Sequence, residues 1–217
     1  MPEVIFPGPD GRLEGRIQPK SDPASPIAII LHPHPLYGGT MNNKVVYALY
    51  QVFAQKGFTV LRFNFRGVGR SQGKYDSGVG ELSDAAAALD WLQATYPNAR
   101  TTWVAGFSFG AWIGMQLLMR RPEIGGFISV SPPANMFDFS FLAPCPSSGL
   151  ILHGTSDQIV PGEDVDKLND KLSQQKGITI TYQKVRGADH FYSEKMEEMA
   201  NHVGRYLDNA MAPSEAA

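Results

Sequence analysis

The stretch Thr102-Trp103-Val104-Ala105-Gly106-Phe107-Ser108-Phe109-Gly110-Ala111-Trp112-Ile113 decides how this chain is read. Thr102–Phe107 is an apolar run of strand length, and an apolar helical pattern starts at Ala111 and runs to Arg120. Gly106-Phe107-Ser108-Phe109-Gly110 must therefore turn a strand into a helix within a few residues. In that context G-x-S-x-G makes a nucleophile elbow, because the glycines permit a cramped turn and the serine hydroxyl is pushed out above the sheet. Ser108 is the candidate nucleophile. The backbone N–H of Phe109, the residue after it, is the first candidate donor to an oxyanion.

A serine hydroxyl attacks only when a base takes its proton, and the base needs a partner that fixes its tautomer. The chain offers both downstream. The apolar strand Leu150-Ile151-Leu152 leads into His153-Gly154-Thr155-Ser156-Asp157, which puts Asp157 just past the strand's carboxyl end. The strand Thr179–Val185 leads into Gly187-Ala188-Asp189-His190, which puts His190 in the equivalent loop. Ligands of open α/β sheets gather at that edge. Asp189 is the rival acid, but adjacent residues seldom aim their side chains for an Nδ1–H bond, so Asp157 is preferred. Cys145, between Pro144 and Pro146, lacks an elbow and reads as a loop thiol.

Working outward, Ile27-Ala28-Ile29-Ile30-Leu31 is a continuous apolar run of the kind found in a strand buried on both faces. Further strands are expected at Thr59–Phe63, Gly126–Val130 and Gly149–Leu152. An antiparallel pair near Glu3–Phe6 and Leu13–Gln18 is joined by the turn Gly8-Pro9-Asp10-Gly11. That makes eight strands. Helices are expected near Lys44–Lys56, Glu81–Thr95, Ala111–Arg120, Val165–Gln175 and Glu194–Asn209, the second carrying the stripe Leu82, Ala85, Ala86, Leu89, Leu92. Strands alternating with helices mean an α/β protein with a mostly parallel sheet. Residues 1–211 read as one domain, and 212–217 as a frayed tail.

These motifs, in the order nucleophile, acid, histidine, resemble the α/β-hydrolase fold superfamily, in its small lidless branch of dienelactone-hydrolase-like and serine esterase proteins, over Ile27 to about Leu207. The resemblance matches Gly106–Gly110 to the elbow, Asp157 in Gly154-Thr155-Ser156-Asp157-Gln158-Ile159-Val160-Pro161 to the acid loop, and His190 to the base loop. It implies a serine hydrolase that needs no cofactor and no metal. Dienelactone hydrolases carry a cysteine where this elbow has Ser108. The loop Asn64-Phe65-Arg66-Gly67-Val68-Gly69-Arg70-Ser71 resembles a family loop that usually opens with Asp. Aligning His34-Pro35 with the family's usual His-Gly implies that the second oxyanion donor is the N–H of Leu36, with Tyr37 as the fallback.

Other readings are narrowed by chemistry. His32, His34, His153 and Asp157 cluster at strand ends, but their spacing fits no zinc motif, and His32 and His153 read as side chains bonded to loop backbone. Gly67–Lys74 lacks both the Walker and the dinucleotide patterns and reads as a surface loop. With 19 Lys plus Arg against 21 Asp plus Glu, a formal charge of -2, the chain has no basic excess to hold nucleic acid or an anionic membrane. One cysteine permits no internal disulfide, and no leader or membrane span is evident, so a cytoplasmic location is expected. A homodimer is the expectation from base rates. The segment from Ser131 to Ser148 is too short for a cap domain, which leaves an open pocket; Phe137, Phe139, Phe141, Trp112 and Phe191 could wall it, although ordinary core is the preferred reading of each. The function expected is a carboxylesterase for small acyl esters, with a small-molecule ester as partner. A serine peptidase or thioesterase on the same triad, or an inactive binding module, is the alternative.

Overall fold

A computed structural model describes residues 2–212, so the expected tail lies outside it from residue 213 onward. The strands are β1 (Glu3–Gly8), β2 (Gly11–Gln18), β3 (Ile27–Leu31), β4 (Thr59–Phe63), β5 (Thr102–Phe107), β6 (Ile124–Val130), β7 (Gly149–Gly154) and β8 (Ile180–Val185). The helices are α1 (Lys44–Gln55), α2 (Val79–Thr95), α3 (Phe109–Arg120), α4 (Gly162–Ser173) and α5 (Met196–Ala210). All eight strands join one sheet in the order β1-β2-β4-β3-β5-β6-β7-β8. Only the β1–β2 and β2–β4 pairs are antiparallel, and from β4 to β8 every neighbour is parallel.

Side chains of a strand alternate between faces, so a strand buried on both sides must feed two cores. In β3, Ile27, Ile29 and Leu31 join the core beneath α2, α3 and α4, whereas Ala28 and Ile30 join the one beneath α1 and α5. Helices thus cover both faces, and the carboxyl ends of β3, β5, β6, β7 and β8 share one edge. The β6–β7 connection, 131–148, carries no helix or strand, so no cap covers that edge. Among the described residues no helix is long and apolar enough to cross a membrane.

The β4–α2 connection is pinned at its start, while Gly67–Lys74 is mostly exposed, as expected of a surface loop. Arg66, itself buried, donates from Nη2 to Oδ1 of the fully buried Asp84 on α2 at 2.8 Å, and its backbone N–H donates to Oδ2 at 2.9 Å. Asn64 explains the departure from the usual Asp. Its Nδ2 donates to Glu14 Oε1 at 2.7 Å, while its Oδ1 accepts the Met41 N–H at 2.8 Å. Glu14 is buried. A carboxylate at position 64 would confront that of Glu14 with no donor between them, whereas an amide serves both neighbours.

Candidate active site

The elbow is built from its glycines. A Cβ on Gly106 would overlap the carbonyl of Gly110, and one on Gly110 would overlap the carbonyl of Leu31. β5 and α3 can therefore meet only if both positions lack a side chain. Ser108 sits between them at φ 53° and ψ −119°, a conformation that L residues rarely adopt. Its N–H is tied to the Val130 carbonyl at 2.9 Å, which locks the turn to the end of β6.

Asp157 and His190 meet across the loops after β7 and β8. His190 Nδ1 donates to Asp157 Oδ2 at 2.7 Å, and both side chains are buried. The other carboxylate oxygen, Oδ1, accepts the N–H groups of Ile159 and Val160, each at 2.8 Å. Burial alone would push this carboxyl up, but the His190 bond and the two backbone donors outweigh it and hold Asp157 below the usual carboxylate range. With Nδ1 engaged by Asp157, Nε2 is the ring atom left to face Ser108. Ser108 and His190 line one cavity of about 460 Å³, with no direct hydrogen bond between them in this structure. Asp189 is turned elsewhere, accepting from Ser193 N at 2.8 Å and Ser193 Oγ at 2.7 Å.

The expectation for the second oxyanion donor fails. The Leu36 N–H donates to His34 Nδ1 at 3.2 Å, and the Tyr37 N–H donates to the His34 carbonyl at 3.1 Å. Pro35 opens a short 3-10 turn over Pro35–Tyr37, and the turn consumes both donors internally. Leu36 is 67% exposed and does not line the cavity. His34 does line it, and its backbone N–H, like that of Phe109, has no acceptor among the described residues. The His34 and Phe109 rings lie 5.0 Å apart, and Tyr75 Oη sits 3.0 Å from His34 Nε2. Since Nδ1 accepts, Nε2 carries the proton and donates to Tyr75, so the imidazole is neutral. Burial also pulls its pKa down, against a smaller opposing pull from the Glu81 charge.

The remaining histidines divide. His32 is buried, donates from Nδ1 to the Pro33 carbonyl at 2.7 Å, and accepts the Phe65 N–H on Nε2 at 3.0 Å. Both nitrogens are thus taken, which removes it from any metal site. His153 is equally buried, but its ring nitrogens have no hydrogen-bond partner, and Nδ1 lies 3.9 Å from Asp157 Oδ2. It is not bonded to loop backbone as the sequence suggested. Of the five aromatic candidates, Phe137 and Phe191 line the cavity, and Trp112 stacks on Phe137 at 4.2 Å. Phe139 and Phe141 stack on one another instead of lining it. Cys145 is a buried thiol whose pKa burial pushes up, far from nucleophile chemistry.

Burial drives the His32 pKa down to about 4, although its bond to the Pro33 carbonyl opposes the fall. An unfolded chain takes that proton near 6.5, so between about pH 6.5 and 4 the unfolded state binds more protons and stability falls with acidification. The cost at the lower end reaches about 3 kcal/mol from this residue. His153, also held down by burial, acts in the same direction. Urea midpoints at pH 7.5, 6 and 4.5 are expected to decline in that order; a constant midpoint would refute this account.

Sheet order, strained elbow, and acid and histidine on successive loops of one edge define the α/β-hydrolase fold in its lidless form. The chain belongs to the X-Pro dipeptidyl-peptidase (S15) family, whose model it matches over residues 16–202. It is 61% identical to a protein of unknown function from Agrobacterium tumefaciens, assigned provisionally to the alpha/beta hydrolases, with a TM-score of 0.94 over 96% of this chain and 95% of that one. A serine hydrolase without a lid from Xanthomonas campestris is 32% identical, with a TM-score of 0.87 over 99% and 96% of the two chains. An uncharacterized protein of Rickettsia prowazekii is 57% identical, covering 95% of this chain and 89% of that one.

Proposed function

We propose that the protein is a serine carboxylesterase that works through an acyl-enzyme on Ser108. The observation that carries this reading is the 2.7 Å bond from His190 Nδ1 to Asp157 Oδ2, with His190 and Ser108 lining the same cavity. In acylation, Ser108 Oγ bonds to the ester carbonyl carbon as its proton passes to His190 Nε2. The carbonyl oxygen becomes an oxyanion, held by the N–H groups of Phe109 and His34. The C–O bond to the alcohol then breaks, and the leaving alkoxide takes the proton from Nε2. In deacylation, water gives a proton to Nε2 as its oxygen bonds to the acyl carbon. Collapse frees the carboxylic acid and returns the proton to Ser108. Asp157 remains ionised throughout and stabilises the imidazolium.

An ester is favoured over the amino-terminal dipeptide that the family's name suggests. Among the described residues no Asp, Glu, Lys or Arg lines the cavity, so the free ammonium of such a substrate would be desolvated without a counter-ion. Incubation with a fluorophosphonate followed by mass mapping tests the reading without knowledge of the substrate. A single adduct on the peptide carrying Ser108 is expected; labelling elsewhere, or none, would overturn it.

A further inference from the structure

The sheet edge that carries the candidate triad also places large apolar side chains in solvent, against the ordinary tendency of such residues. Tyr37 on the β3–α1 loop, Met136 on the β6–β7 loop, Ile159 on the β7–α4 loop and Phe191 on the β8–α5 loop are 87, 55, 41 and 47% exposed. All four line the cavity that holds Ser108, and their exposure puts them at its solvent side. Scattered exposed apolar residues need no explanation, but four separate loops converging on one uncharged mouth do.

The rim is braced in place. Phe191 packs edge-on against the His190 ring at 5.2 Å, and Tyr37 lies 4.7 Å from the ring of His34. Asn135 Nδ2 donates to the Ile159 carbonyl at 3.0 Å, tying the Met136 loop to the Ile159 loop. Its members are thus held exposed at the cavity entrance and not folded inward. A ligand that extends out of the cavity therefore meets apolar side chains with no Asp, Glu, Lys or Arg among the lining residues.

We infer that the substrate is a neutral ester with an extended apolar chain, one end of the molecule seated at Ser108 and the chain lying across the Tyr37, Met136, Ile159 and Phe191 rim. This rests on the esterase reading and replaces the expectation of small acyl groups. Each methylene moved from water onto apolar side chains is worth about a fourfold gain in kcat/KM. From acetyl to octanoyl the gain is therefore on the order of 100-fold, if only part of the chain meets the rim. A terminal carboxylate would find no cation at the mouth and should lose most of that gain.

The test is a chain-length series at monomeric substrate concentrations. It uses 4-nitrophenyl esters lengthened on the acyl side and alkyl butyrates lengthened on the alcohol side. One adipic monoester carries the charge. A steep rise in either series, with the adipic ester at least tenfold below its neutral counterpart of equal length, supports the proposal. So does a fall of about fourfold or more in the octanoate-to-acetate ratio in Met136→Ser and Phe191→Ser. Flat profiles in both series, in a protein that fluorophosphonate labels at Ser108 and that turns over acetate, overturn the proposal and leave the esterase reading standing. Absence of both labelling and turnover overturns the esterase reading, and the chain preference with it.

Discussion

Ser108→Ala is expected to lower kcat/KM for 4-nitrophenyl butyrate by at least about 10⁴-fold, with circular dichroism and urea midpoint close to those of the parent protein. The first half follows from the chemistry: without Oγ there is no covalent intermediate, and the cavity retains only its donors and its walls. The second half follows from backbone geometry. At φ 53° and ψ −119° an alanine carries the same steric cost as the serine, of the order of 1–3 kcal/mol, so stability hardly moves. Ser108→Gly separates the two effects. Glycine adopts this conformation without the Cβ penalty, and that variant should be as inactive as Ser108→Ala yet more stable by about 1 kcal/mol, despite glycine's greater entropy when unfolded. An active Ser108→Ala would remove the nucleophile, and a destabilised Ser108→Gly would show that the elbow stores no strain. Kinetics and urea melts on the same three proteins decide both points.

Much of this architecture is legible in the chain because buried parallel strands leave a strong mark. Ile27–Leu31 must satisfy two cores at once, and only an unbroken apolar run does so. Helix starts are less visible. The pattern suggests a start at Glu81, but α2 begins at Val79, since its opening is set by the backbone of Gly78 at φ 94° and by Glu81 Oε2 accepting the Gly78 N–H at 2.7 Å. Neither feature buries an apolar residue, so periodicity is blind to both. The Leu36 expectation failed for a related reason. Aligning His34-Pro35 with a His-Gly pair treats the loop as a string of positions, whereas Pro35 starts a turn that spends the Leu36 and Tyr37 donors on His34. The presence of proline at that point is the signal that could have directed attention to the N–H just before it. The apolar rim was harder still, because Tyr37, Met136, Ile159 and Phe191 lie on four loops far apart in sequence, and only the sheet order brings them to one mouth.

The neighbouring acids give the second large effect. Asp157→Asn is expected to lower kcat near pH 8 by about 10³–10⁴-fold, and Asp189→Asn by less than about threefold. The reason lies in how the Asp157 oxygens are divided. Oδ1 accepts two backbone N–H groups, from Ile159 and Val160, so an asparagine must keep its single oxygen there and turn its NH2 toward His190. His190 Nδ1 must then accept instead of donate, which moves the ring proton to Nε2. In that tautomer Nε2 cannot take the Ser108 proton, and the imidazolium of the transition state loses its carboxylate as well. Asp189 has no such hold: its carboxylate closes the 189–193 turn through Ser193, and an amide oxygen can still accept the Ser193 N–H. The turn also carries Tyr192, whose φ of 54° requires support, so Asp189→Asn should show as a small drop in melting temperature with little change in rate. If the rates of the two variants came out reversed, His190 would be oriented by its sequence neighbour in solution, and the division of the Asp157 oxygens would have no catalytic meaning.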